Sequence, residues 1–223
     1  TIASFDVVFA ANPYDAATLD RVDDLKAAVE RAAKGTAFED AEIAVGGVTS
    51  TYNDLRTISS KDFIRTATIM LIGIGLILFV LFRSLVIPVY LLVSLLITYF
   101  TSVGFAEVLF VRLLGMEGLT WAVPFFAFVM LIALGVDYSI FLMDRFREYR
   151  HLPPREAIVH AMRNTGTVIV SAAVILGGTF AAMMPSGVLS LLQIATIILF
   201  GLMLYALVML PLFVPVMVRL FGN

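Results

Sequence analysis

Residues 63–223 fall into long apolar runs separated by short polar breaks, whereas residues 1–62 alternate on a much shorter scale. The long runs predict five membrane-spanning helices at about 63–82, 86–107, 120–143, 166–185 and 189–218. About 20 apolar residues, rising 1.5 Å each, cross a hydrocarbon core of about 30 Å. Pro88, Pro124, Pro211 and Pro215 lie within these runs. Membrane helices tolerate proline where neighbouring groups satisfy the freed backbone.

The first 62 residues read as a small separate module. Phe5, Val7 and Phe9 alternate with polar or small neighbours in SFDVVFA (4–10), the period of a half-buried strand. NPYD breaks that strand. Leu19, Val22, Leu25 or Lys26, Val29 and Ala32 then recur at helical spacing over 16–34, with Gly35 as the stop. AEIAVGGV (41–48) reads as a second strand ended by Gly46 and Gly47, and TYNDLRTISSKDF as a helix running into the first span. Strand, helix and strand make a βαβ unit, half of a ferredoxin-like domain. A half-sheet of this kind needs further strands to bury both faces. The expected fold is a mainly α membrane protein, with five transmembrane helices (63–223) preceded by a small α/β module (1–62).

Composition agrees with a membrane protein. The 223 residues are 61% hydrophobic and 14% charged, with a mean hydropathy of +0.99, against about 45–50% apolar and about 25% charged in soluble domains. A net charge of −2 leaves no basic footprint for nucleic acid, and the absence of cysteine excludes disulfides and thiolate metal sites. The two histidines, His151 and His160, share one polar loop, which argues against a histidine metal centre. The chain has no P-loop, glycine-rich dinucleotide turn, metal-ligand cluster or nucleophile motif. It therefore reads as neither an ATP-driven machine nor an enzyme, and no cofactor is expected.

Basic residues orient the spans. Arg145, Arg147, Arg150, Arg155 and Arg163 crowd the loop 144–165, which is expected to be cytoplasmic. Arg83 and Arg219 then also lie inside, Arg112 lies outside, and the first module is extracytoplasmic; Lys61 and Arg65 run mildly against this order. Within the loop, Ala157, Ile158, Ala161 and Met162 share a face and suggest a short interfacial helix. An external module with neither an initiator Met nor a signal sequence ahead of it implies an upstream membrane segment. The chain is thus expected to be a piece of a longer protein.

Candidate chemistry centres on Asp137, the one ionisable residue well inside a predicted span; Glu107, Asp144 and Arg145 mark span boundaries. Seven residues from Asp144, it lies about 10 Å deep. An ionised carboxylate at such depth costs roughly 2.5–3.5 kcal/mol even on the lenient insertion scale. Two readings stay open: an acid glued to a neighbouring helix by a hydrogen bond, or a relay for protons, with a cation ligand as a lesser variant. Tyr138 would join a proton-handling pair. Ser139, Thr167 and Ser171 are candidate hydrogen-bond partners, as are Thr98, Tyr99, Thr101 and Ser102. No Lys or Arg within the spans offers a counter-ion. Gly73, Gly75, Gly104, Gly177, Gly178 and Gly201 read as sites of close helix approach.

Three stretches resemble one family. VGGVTSTYNDL (45–55), GVDYSIFLMDRFREYR (135–150) and AIVHAMRNTGTVIVSAAVILGGTFAAM (157–183), in this order around an external module and five spans, resemble the MMPL (mycobacterial membrane protein large) branch of the RND (resistance–nodulation–division) superfamily. The resemblance implies a full protein of two such halves in a bacterial plasma membrane, and the ending PVMVRLFGN resembles the last helix of the C-terminal half. It implies proton-motive-force-driven export of lipids or other hydrophobic molecules, with Asp137 and Tyr138 matching an Asp–Tyr pair thought to relay protons. Its partners would be the bilayer, the other half and a hydrophobic substrate, with a homo-oligomer left open; protons are the coupling ion. A translocation accessory like SecD/SecF, or a non-transporting scaffold or sensor in which Asp137 is structural, are the alternatives. Many relatives carry an Asp and, five residues later, an Arg on the last helix, where this chain has Tyr205 and Leu210.

Overall fold

The computed structural model describes residues 4–11, 16–116 and 118–221, and its regular structure is helical, with no strand among the described residues. The helices are α1 (Ala16–Ala33), α2 (Val48–Phe82), α3 (Val86–Glu107), α4 (Val123–Glu148), α5 (Pro154–Ala181), α6 (Leu189–Leu204) and α7 (Val214–Phe221). Wider π-helical segments extend α3 (Val108–Leu113) and join α6 to α7 (Tyr205–Phe213). The chain divides into two compact units, Thr1–Phe63 and Ile64–Asn223.

In the first unit the expected βαβ module is corrected: only its helix forms. Phe5 is 86% exposed and Val8 91% exposed, and residues 4–9 and 41–46 run without ladder partners. The second stretch keeps its alternation, with Ile43 and Val45 half-buried between exposed neighbours. Strand backbone groups pair only across to another strand, and among the described residues none is present. The NPYD break lies outside the described residues. Helix α1 ends where Gly35 takes a left-handed φ of +71°, as its position in the sequence suggests. Leu19 and Val22 are buried, whereas Val29 and Ala32 are exposed, so only the first half of α1 is covered. That half is tied to the start of α2 by Asn53 Nδ2 donating to Asp23 Oδ1 at 3.3 Å and by an Arg56–Asp20 ion pair at 2.9 Å. The pair is exposed and is worth about 0–1 kcal/mol.

The second unit is a helical bundle. Five helices are long and apolar enough to cross a membrane: Val48–Phe82, Val86–Leu113, Val123–Glu148, Arg155–Ser186 and Leu189–Leu220. Together with the family relationship below, they make this a multi-pass membrane protein. Helix α6 packs against α3, α4 and α5, and Leu91, Leu95, Ile132, Leu142, Ile197 and Ile198 fill the space between them. The membrane part of α2 contributes only Leu78 and Phe82 to the core and exposes Ile69, Ile72, Leu76 and Ile77. Apolar exposure of this kind suits lipid as well as protein. Arg83 ends α2 in the left-handed region (φ 52°), and Arg147 Nη1 donates to the Leu81 carbonyl at 2.8 Å.

Two close approaches set the helix spacing. A Cβ added at Gly201 would lie 2.6 Å from Leu131 Cδ2 and 2.9 Å from Ser102 Oγ, and one at Gly135 would lie 2.1 Å from Leu95 Cδ2. Gly177 is also tight, against Leu199, whereas Gly73, Gly104 and Gly178 face open space within this chain. The glycine expectation therefore holds at Gly177 and Gly201, and Gly135 joins them.

The expected loop 144–165 contracts to residues 149–153. Helix α4 runs on to Glu148, and α5 starts at Pro154, a residue preorganised for a first helical turn. Ala157, Ile158 and Ala161 are buried, so the apolar face read as interfacial belongs to the bundle and is continuous with the fourth span. In the last span, Ile198, Leu202, Ala206, Leu210, Val214 and Val218 are all buried, a spacing of four that the π-helical segment accommodates.

Candidate functional site

Helix α4 divides its residues between two faces. Phe126, Met130, Ala133, Asp137, Phe141 and Asp144 recur every three or four positions and are all exposed, while Ile132, Gly135, Val136, Ser139, Leu142 and Met143 are buried. Asp137 thus sits in the middle of an apolar stripe that the chain's own helices leave uncovered. Tyr138, between the two faces, is half-buried.

The candidate partners lie elsewhere. Among the described residues no side-chain hydrogen bond or ion pair reaches the Asp137 carboxylate. Thr167 and Ser171 are exposed on α5, and Thr101 is exposed on α3. Thr98 and Ser102 are buried and return their hydroxyls to backbone carbonyls one turn back, at 2.8 and 2.7 Å, while the Tyr99 hydroxyl donates to the Pro124 carbonyl at 3.1 Å. Ser139 lies about 200° round the helix from Asp137 and points into the core.

There Ser139 meets Tyr205. The Tyr205 hydroxyl is 2.5 Å from Ser139 Oγ and 3.4 Å from Ser94 Oγ, and both serines are 0% exposed. Counting protons assigns the donors. Ser139 donates to the Gly135 carbonyl at 2.8 Å and Ser94 to the Leu91 carbonyl at 2.7 Å. Each serine has one proton, so the Tyr205 O–H donates to Ser139. One hydroxyl on the last span therefore bonds to α4 and lies against α3.

A second polar contact within the apolar bundle was not anticipated from the sequence. Gln193 on α6, 0% exposed, accepts the Thr120 N–H at 3.0 Å and donates to the Gly118 carbonyl at 3.1 Å. One amide side chain thus satisfies both kinds of backbone group in the turn before α4. The available signal was a lone Gln in LSLLQIATIILF, since a buried amide must find partners.

With this geometry in hand, the relationships of the chain are informative. The model of the MMPL family matches residues 1–223. The chain is 52% identical over 217 residues to the membrane protein YdgH of Bacillus subtilis (strain 168), covering 97% of this chain and 24% of that protein. It is 33% identical over 228 residues to the apo-petrobactin exporter of Bacillus anthracis, covering 100% of this chain and 30% of the exporter. It is also 32% identical over 212 residues to the sulfolipid-1 exporter MmpL8 of Mycobacterium tuberculosis (strain ATCC 25618 / H37Rv), covering 95% of this chain and 19% of the exporter. The chain thus spans less than a third of the length of each of these curated relatives.

Proposed function

We propose a transport function from one premise: the chain belongs to the MMPL family. In this reading it is one half, the C-terminal one, of a proton-driven exporter of lipids or other hydrophobic molecules in a bacterial plasma membrane. The family membership and two relatives named for export, of sulfolipid-1 and of apo-petrobactin, support it. The first unit would lie outside and the C-terminus inside, as the arginines of residues 144–165 favour.

The observation that carries the proposal is the exposed position of Asp137 within the apolar stripe of α4. Facing lipid, an ionised carboxylate would cost roughly 2.5–3.5 kcal/mol. Covered by the other half, it would meet protein and become a proton site at the boundary between the two. Asp137 would take a proton from the outer side and release it inward, with Tyr138 orienting the carboxyl. One proton crossing 100 mV supplies about 2.3 kcal/mol, enough for a cargo gradient of about 40-fold.

The test is proton-driven export by the full-length protein in liposomes under an imposed pH gradient. Asp137→Asn is expected to abolish coupled export, and undiminished export by that variant would falsify the relay role. Tyr138→Phe is expected to slow export without abolishing it.

A further inference from the structure

We propose that Tyr205 is a positioning residue for Asp137: through its bond to Ser139 it sets the rotation of α4 about its own axis. The proposal rests on the proton-relay reading for its functional consequence, and on geometry for its substance.

Ser139 and Asp137 are two residues apart, about 200° round the helix. One is held in the core while the other stands on the uncovered face, so pinning Ser139 fixes the azimuth of the carboxyl. The pin is close: the Tyr205 hydroxyl lies 2.5 Å from Ser139 Oγ, in a site where Tyr205 is 2% exposed. The same turn of α4 is seated against the Tyr205 ring, since a Cβ added at Gly135 would lie 3.6 Å from Tyr205 Cε1. Glycine at 135 leaves α4 close enough for the bond.

Lever geometry gives the sensitivity. At a side-chain radius of about 5 Å, a helix rotation of about 20° would carry a carboxyl by roughly 2 Å. Proton transfer requires heavy atoms within about 2.6–3.2 Å, so a rotation of this size separates a competent geometry from an incompetent one. Tyr205 is also the first residue of the π-helical segment, which contains Pro211 and thus lacks one backbone donor. The bond therefore ties the rotation of α4 to the start of the irregular part of the last span. If the ring merely filled the core, phenylalanine would serve as well.

The experiment uses the full-length protein in liposomes with Tyr205→Phe, Ser139→Ala and both together. The first readout is the infrared carbonyl band of the Asp137 carboxyl, recorded in acid buffer and assigned by its loss in Asp137→Asn. The expected result is a displaced band in each single variant and no further displacement in the double, because one bond is removed in all three. An unmoved band in Tyr205→Phe, or displacements that add in the double, overturns the proposal. Ser139→Ala breaks the same bond with a smaller change of volume and decides the matter if Tyr205→Phe does not fold. The second readout is proton-driven export, expected to fall roughly tenfold or more in each single variant. If Asp137→Asn exports at full rate, the relay reading fails by itself, while the band still decides whether Tyr205 positions Asp137.

Discussion

Gln193 holds the backbone of Thr120 as a neighbouring strand would, accepting its N–H at 3.0 Å while donating to Gly118 two residues earlier. The two bonds fasten the turn before α4 to α6. Replacing the amide by a hydrocarbon of similar size removes both bonds, and the vacated groups lie where few other partners are within reach. Gln193→Leu is expected to cost about 1–3 kcal/mol. Hydrogen exchange of the Thr120 amide checks it: protection should drop at this amide and not in the middle of α6.

Gly201 and Gly178 make a matched pair. Alanine at 201 drives a methyl group to 2.6 Å from Leu131 Cδ2, and overpacking of that kind typically costs about 1–3 kcal/mol. Alanine at 178 meets nothing within 4 Å in this chain and should stabilise α5 by about 0.5–1 kcal/mol. Thermal unfolding of the 223-residue chain in detergent is expected to separate the two variants in opposite directions. Equal midpoints would contradict the close approach at Gly201.

Arg83 adopts a φ of 52° at the end of α2. A side chain there costs roughly 1–2 kcal/mol that glycine does not incur. Arg83→Gly is expected to raise the unfolding midpoint of the chain. Arg147→Gln, which weakens the bond to the Leu81 carbonyl, should lower stability by about 0.3–1 kcal/mol, visible as faster exchange in the last turn of α2.

Asp137→Leu distinguishes the chain alone from the whole protein. In the isolated chain in bilayers, the substitution removes an exposed carboxylate from an apolar stripe and should leave stability unchanged or raise it by up to about 3 kcal/mol. In the full-length protein the same change is expected to eliminate coupled export. A large loss of stability in the isolated chain would mean that the carboxylate is a structural bond within this bundle.

The five spans were legible because hydropathy over twenty residues is a strong signal, but their ends were not. The third span begins at Val123 rather than at about 120 because Gln193 claims Thr120 for the preceding turn. The fourth begins early because the face of Ala157, Ile158 and Ala161 finds protein rather than headgroups. The alternation of Phe5 and Val7 is real, yet a strand needs a second strand to exist. At the candidate site, the depth of Asp137 could be counted from Asp144. Its outward direction could not, because which stripe of α4 is covered depends on where α3 and α6 lie. Tyr205 looked like a missing Asp. Only packing revealed that its hydroxyl meets Ser139, 66 positions away in the chain.

The last span has a further property, which concerns the length of the chain rather than its chemistry. Its buried positions from Ile198 to Val218 come every fourth residue, whereas an unbroken α-helix repeats every 3.6 residues or so. The segment Tyr205–Phe213 absorbs the excess. Deleting one residue there would let the backbone rewind into ordinary α pairing, yet it would swing α7 by about 100°. Val214 and Val218 would leave the core although every neighbour retained its identity. In this segment a deletion is therefore a graver change than most substitutions, and descendants of the chain should keep the number of residues between Tyr205 and Val214 more faithfully than the residues themselves.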